Sequence, residues 1–313
     1  MKGIFRIRDI PKIAFLYSAR FTIPYLPPGM KHVLAETLAS FTSGGERAAV
    51  MGEELRSLFG RGTLSSEAIE GIIRETVSNF RKDLFEIWSF KRLNSRTIGD
   101  LCYPEGLDHL EKARAKGKGV LVALCHFGSY KMVLPCLGYR GYPITQIAAN
   151  PLEFTGDHIS FMKNKVMEIE YKAERSLPAG FIYIGSSVRE IFRVLERNEI
   201  LVMSLDGVVD PKRITLPFLK RKIRLSPSIA KIARKYGTPV LPVFTVRDRD
   251  DRHRVIIHDE LKVDWEKEDS DRHFLAQFCR LMERYVTAHP SHYTWFLYKN
   301  RTEPPKIGPI ITD

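Results

Sequence analysis

Two rhythms of hydrophobic and polar positions divide the chain. From about residue 34 to 94 apolar residues recur every three or four. In "SSEAIEGIIRETVSNFRKDLFEIW", Ile69, Ile72, Ile73, Thr76, Phe80, Leu84, Ile87 and Trp88 fall at that spacing behind serine cap candidates. The spacing predicts an amphipathic helix whose apolar stripe packs into a core rather than touching a ligand. After "YPEGLDHLEKARAKGKG" the rhythm changes to short apolar runs: "VLVALC" at 120–125, "PITQIA" at 143–148, "FIYIG" at 181–185, "ILVMSL" at 200–205 and "TPVLPVFTV" at 238–246. Helical patterns lie around 129–138, 156–168, 186–197 and 226–236, with another at about 270–288. Strands that alternate with helices and are apolar on both faces predict an α/β fold with a mixed, mostly parallel sheet flanked by helices. The expected organisation is a helical, membrane-proximal region over 1–95 and an α/β domain over 96–313, together one continuous unit. "EPPKIGPIITD" reads as an irregular C-terminal tail.

The N-terminal "IPKIAFLYSARFTIPYLPP" is apolar and aromatic, but Lys12, Arg20 and its prolines interrupt it. It falls short of the roughly 20 apolar residues of a spanning helix, and no small-residue cleavage site follows. What remains is a segment lying in the membrane interface or a helix packed on the domain. With 313 residues, 44% of them hydrophobic, the chain can bury a sizeable core, which excludes a disordered chain. A net charge of +12 calls for a negative partner: an anionic membrane surface, a phosphorylated substrate, an acidic protein or nucleic acid. Nucleic acid is disfavoured, because no stacking platform, helix-turn-helix or zinc pattern is present. Cys102, Cys125, Cys136 and Cys279 have neither metal-ligand pairing nor the density of a disulfide scaffold, so reduced, structural thiols are expected.

Candidate chemistry collects at the strand ends. His126 follows "VLVALC" directly and precedes the small turn Gly128-Ser129, and in parallel sheets ligand groups gather beyond the carboxyl ends of strands. Asp206 ends "ILVMSL" in the same topological place, so the two side chains approach if their strands are neighbours. The competing reading of Asp206 is a turn-forming Asp-Gly step. "GKG" and "HFGS" lack the spacing of a dinucleotide or phosphate loop. A third feature, "PKRITLPFLKRKIRLSPSIAKIARK", holds Lys212, Arg213, Lys220, Arg221, Lys222, Arg224, Lys231, Arg234 and Lys235 and no acid. Its cations alternate with Ile214, Leu216, Phe218 and Ile223, so one side can bury while the other faces phosphate or carboxylate groups. His109, His158 and His258 carry no such pattern.

"GKGVLVALCHFGSYKM", "SLDGVVDPKRITLPFLKRKIRLSPSIAKIARKYGTPVLPVF" and "HPSHYTWFLYKNR" resemble, in order and spacing, the three signature regions of the bacterial lipid A biosynthesis acyltransferases, within the lysophospholipid acyltransferase superfamily. The similarity covers roughly residues 70 to 305. It implies transfer of a fatty acyl chain from an acyl-carrier-protein or coenzyme A thioester to a hydroxyl of a membrane lipid or glycolipid. The implied setting is the cytoplasmic face of the bacterial inner membrane, peripheral or interfacially anchored. No metal and no permanently bound cofactor are expected, and the protein is expected to act as a monomer. By motif match His126 is the general base. The family's orienting Asp or Glu, five positions on, is here Lys131. The usual Asn-Trp after the glycine is Ser129-Tyr130, the usual Asp-Gln is Asp206-Gly207, and "QIAANP" lacks the usual strand-end arginine.

Two readings follow from these departures. In one, the enzyme is active, Asp206 orients His126, and Lys131 binds a substrate phosphate or polarises the carbonyl. In the other, the fold persists as a lipid- or acyl-carrier-binding protein. The resemblance further places Gly128, Ser129, Phe218, Lys222 and Arg224 near substrate and makes His292 and Trp295 structural supports. An acyl channel is expected from "FIYIG" and the helix around 72–88.

Overall fold

The computed structural model describes residues 10–150, 161–207, 211–305 and 307–313. It opens with helices α1 (Ile10–Thr22), α2 (Pro28–Ser40), α3 (Glu46–Phe59) and α4 (Ser66–Trp88). Pro28 starts α2, where a missing N–H leaves no bond unmade. Ser65 caps α4 by accepting the Ala68 N–H at 3.2 Å. As the spacing predicts, α4 buries Ile69, Ile73, Thr76, Ile87 and Trp88.

The remainder alternates strands and helices: α5 (Ile98–Leu101), β1 (Cys102–Glu105), α6 (Leu107–Arg114), β2 (Val120–Leu124), α7 (Val133–Gly138), β3 (Ile144–Ala148), α8 (Phe161–Glu174), β4 (Gly180–Tyr183), α9 (Val188–Glu196) and β5 (Ile200–Ser204). Then come β6 (Ile214–Phe218), β7 (Arg221–Leu225), α10 (Ser228–Tyr236), β8 (Val240–Arg247), β9 (His253–Ile257), α11 (Ser270–Ala288), α12 (Ser291–Thr302) and β10 (Ile311–Thr312). Seven strands form one sheet in the order β1-β9-β8-β2-β5-β3-β4, parallel except at the β8–β9 hairpin. The chain is thus a mixed α/β protein with a largely parallel sheet flanked by helices.

Side chains of β2 and β5 alternate between two cores. Leu121, Ala123 and Leu201 enter one, while Val120, Val122, Leu124, Ile200 and Val202 enter the other. Both faces are therefore covered, which explains runs that are apolar without alternation. In the β2–β5 register Leu124 stands opposite Ser204. Two residues further on, His126 and Asp206 leave adjacent strands at the same level.

Several expectations need correction. The C-terminal tail is not wholly irregular: Ile311 and Thr312 pair antiparallel with Ile223 and Lys222 of β7, adding a strand to the β6–β7 hairpin. That hairpin and α10 are what the basic segment becomes. β1 and β9 escaped the apolar-run criterion because "CYPE" and "HRVII" carry polar residues. β1 lies at the sheet edge, where Pro104 is tolerated. The helix expected at 156–168 falls partly outside the described residues, as does His158, and α8 extends to Glu174. All four cysteines are buried and free.

Candidate active site

Beyond the carboxyl ends of β2 and β5, His126 and Asp206 meet in two ways. Asp206 Oδ2 accepts the His126 backbone N–H at 2.8 Å, and Oδ1 lies 2.8 Å from imidazole Nδ1. Ser204 Oγ donates to Oδ1 at 2.6 Å. Asp206 is fully buried. Burial by itself pushes its carboxyl up, but the His126 ring and these bonds outweigh it and hold the group below the ordinary carboxylate range. A carboxylate only accepts, so Nδ1 carries the proton and Nε2 is the basic nitrogen of the neutral ring. Two aromatics fix the ring plane: Phe296 stacks on it at 5.4 Å between centroids, and Tyr130 meets it edge-on at 4.7 Å.

The turn that follows depends on glycine. Gly128 has φ +56°, and a Cβ there would lie 2.0 Å from the Thr245 carbonyl oxygen. Its N–H donates to the His292 carbonyl at 2.9 Å. His292 in turn accepts the Arg247 N–H through Nε2 at 2.9 Å and contacts Ser291 Oγ through Nδ1 at 3.1 Å. Burial, helped by His289 and Arg247, drives its pKa down to about 3, so it stays neutral and serves as a bracket.

His126, Gly128, Ser129, Tyr130 and Lys131 line a cavity of about 380 Å³. Its other wall is a stripe of α4, namely Thr76, Phe80, Asp83, Leu84 and Ile87, and α12 closes a side with Trp295 and Phe296. Phe80 and Trp295 stack at 3.9 Å between centroids. The spacing of α4 reads as packing, and the same helix is expected to wall a channel; one of its faces packs and another lines this cavity. "FIYIG" does not line this cavity.

Lys131 points into a pair of acids. Its ammonium lies 3.0 Å from Glu170 Oε2 and 2.6 Å from Glu174 Oε1, carboxylates one turn apart on α8. Burial pulls the ammonium's pKa down, and Glu174 and Glu170 more than offset this, so the lysine remains charged and paired. Lys131 thus ties α8 to the turn after His126. This differs from the expected roles of binding a substrate phosphate or polarising a carbonyl.

Three residues expected near substrate are elsewhere. Phe218 is fully buried, edge-on to Tyr293 at 6.0 Å. Lys222 donates to the Asp313 carbonyl, and Arg224 to the carbonyls of Ile307 and Pro309. None of the three lines the His126 cavity, because β7 turns its cations toward the C-terminal segment. Arg213, from the same basic run, does reach the site region: it donates to the carbonyls of Gly207 and Arg224 and so braces the turn after Asp206.

Sequence reasoning missed Asp83. It accepts from Ser129 Oγ and, at 2.6 Å, from Arg247. A signal was available, since an acid sits inside an otherwise apolar stripe at positions 76, 80, 84 and 87. Behind it, Arg247 donates through both terminal nitrogens to Glu86, at 2.7 and 2.8 Å, and His253 lies 2.8 Å from Glu86. Burial raises the Glu86 carboxyl, yet Arg247 and His253 hold it well below its usual range. The ligand-type atoms of Asp83, Glu86 and His253 lie within 4.8 Å of one another, the spacing of a metal site. The Arg247 guanidinium already bridges Asp83 and Glu86 and supplies the positive charge there.

Comparison with known proteins places this geometry in context. The family model described as bacterial lipid A biosynthesis acyltransferase matches residues 8–302. No curated protein matches the chain.

Proposed function

This chain belongs to the bacterial lipid A biosynthesis acyltransferase family, and on that premise we propose that it moves a fatty acyl chain from an acyl-carrier-protein or coenzyme A thioester to a hydroxyl of a membrane lipid or glycolipid. The observation that carries the reading is the His126–Asp206 pair, delivered by neighbouring strands to the wall of a largely apolar cavity. His126 Nε2 takes the acceptor's hydroxyl proton as that oxygen attacks the thioester carbonyl. Collapse of the tetrahedral intermediate breaks the C–S bond, and the imidazolium returns the proton to the departing thiolate. Asp206 keeps Nδ1 protonated and stabilises the imidazolium between the two steps. Lys131, held by Glu170 and Glu174, fixes α8 beside the cavity.

The setting we propose is an anionic membrane surface. Among the described residues no helix is long and apolar enough to cross a membrane. α1, α2 and the residues that follow each helix expose Phe15, Phe21, Tyr25, Met30, Val33 and Phe41. A basic protein that presents aromatic and aliphatic side chains in this way is suited to the lipid interface.

The test supplies purified protein with acyl-carrier-protein and coenzyme A thioesters and candidate lipid acceptors. Acyl transfer that disappears in His126→Ala supports the reading. Tight lipid binding with no turnover in the unaltered protein refutes it in favour of the binding protein.

A further inference from the structure

The apolar run "ILVMSL" contains one polar residue, Ser204, and the fold puts it to use. It is the last residue of β5, opposite Leu124 in the β2–β5 register, so the strands that deliver His126 and Asp206 also place Ser204. Its hydroxyl oxygen lies 2.6 Å from Asp206 Oδ1 and 3.4 Å from His126 Nδ1. A carboxylate oxygen only accepts, and Nδ1 already carries a proton, so the Ser204 proton has Oδ1 as its one acceptor in this triangle. The lone pairs of the hydroxyl are left to the side of the Nδ1 proton.

The backbone around Asp206 is clamped. The Leu205 N–H donates to the Leu124 carbonyl at 2.9 Å, the Ser226 N–H to the Leu205 carbonyl at 2.9 Å, and Arg213 to the Gly207 carbonyl. None of these bonds fixes the carboxylate plane, because rotation about the last side-chain bond of an aspartate is soft. That plane is set by donors on the two oxygens. Among the described residues two of them belong to His126, its backbone N–H and its ring, and the third is Ser204. Ser204 is therefore the donor that stays unchanged while His126 gains and loses a proton. Asp206 is fully buried, so bulk water does not replace a donor that is removed.

We propose that Ser204 is a positioning residue for the His126–Asp206 pair, its hydroxyl fixing the carboxylate plane that orients the imidazole. Ser204 does not line the His126 cavity and acts through Asp206. The hydroxyl also favours the ionised carboxylate. Burial pushes the Asp206 carboxyl up, and the His126 ring, with the bonds from His126 and Ser204, holds it below the ordinary range. The catalytic consequence rests on the acyl-transfer reading, whereas the hold on the carboxylate can be measured without turnover.

The experiment compares Ser204→Thr with Ser204→Val in the full chain, beside wild type, Asp206→Asn and His126→Ala. Threonine and valine have the same shape and differ in a hydroxyl against a methyl group, so packing changes alike in both. Turnover is read as thiol released from palmitoyl-coenzyme A or palmitoyl acyl-carrier protein over a panel of lipid acceptors. The Asp206 carboxyl is titrated by carbon-13 NMR over the pH range in which the fold holds, its signal assigned by its absence in Asp206→Asn. Ser204→Thr is expected to keep most of the wild-type kcat. Ser204→Val is expected to fall about tenfold or more below it with KM unchanged, the effect of one hydrogen bond to a charged group. Asp206 is expected to take up its proton at higher pH in Ser204→Val than in Ser204→Thr. Where the larger side chains lower the melting temperature, Ser204→Ala, which inserts no atom, is compared with wild type in the same two assays. Equal kcat, or an equal Asp206 titration, with and without the hydroxyl overturns the role. If no chain transfers an acyl group but the titration difference holds, the acyl-transfer reading fails and the hold of Ser204 on the carboxylate stands.

Discussion

Asp206→Asn isolates the contribution of the carboxylate. In the native site Oδ2 accepts a backbone N–H and Oδ1 faces both Nδ1 of His126 and the Ser204 hydroxyl. An asparagine has one accepting oxygen and one donating nitrogen, and the backbone N–H of His126 cannot be reversed. The amide oxygen must therefore take the Oδ2 position, which turns the NH2 group toward Nδ1. Nδ1 then has to accept, and the ring proton moves to Nε2, the atom that should receive the acceptor's proton. The base is lost with little change in shape. In a serine-protease triad the equivalent replacement lowers kcat on the order of 10⁴-fold, or about 5.5 kcal/mol of barrier. We expect a fall of about that size in kcat, read as thiol released from the acyl thioester at saturating acceptor, with a far-ultraviolet spectrum like that of wild type. Activity within about tenfold of wild type would refute the assignment of Asp206 as the orienting group.

Other consequences follow from the same geometry. Lys131→Met leaves Glu170 and Glu174 facing each other one turn apart, and should cost about 1–2 kcal/mol in urea unfolding. Adding Glu170→Gln and Glu174→Gln should restore most of that loss, with turnover within about tenfold throughout. A loss as deep as that of His126→Ala would instead place Lys131 in the chemistry. Gly128→Ala combines a positive φ with a 2.0 Å approach to the Thr245 oxygen, and should destabilise by about 2–3 kcal/mol or more by the same assay. Acid should weaken the fold from near pH 6.5 downward. His292 has its folded pKa depressed to about 3, so the unfolded chain takes up the proton first. Stability is then complete above the unfolded value of about 6.5 and falls by about 2 kcal/mol by pH 5. Below about pH 4, Asp206 and Glu86, whose folded carboxyls are also held low, add a second loss in the same direction. Urea titrations at pH 7, 5 and 3.5 check both limbs. A flat profile between 7 and 5 contradicts the buried, neutral His292.

The apolar runs and their punctuation were legible because a strand covered on both faces has no polar positions to spare, and β2, β5 and β8 are such strands. The address of His126 followed from this, as did that of Asp206, since each directly follows a buried run. The edge strand β1, the half-polar β9 and the two-residue β10 lack such a signature, because their pairing comes from neighbours rather than from their own hydrophobicity. Periodicity also showed that α4 has an apolar stripe, but it reports burial and cannot distinguish a core from the wall of a cavity. The basic run was legible as charge, and its direction was not: Lys222 and Arg224 face the C-terminal segment and Arg213 faces Gly207.

By itself, then, the sequence determined the α/β architecture and the strand-end position of two chemically suited side chains. Tertiary structure decided the partnerships. Asp206 meets His126 because the β2–β5 register sets Leu124 against Ser204, across a separation of 80 residues. Lys131 is engaged by acids on α8, and one helix, α4, packs with one face and lines the cavity with another. Hydrophobic spacing encodes which side of an element is buried. Which groups then touch depends on register and packing between segments far apart in the chain, and only the folded molecule brings those together.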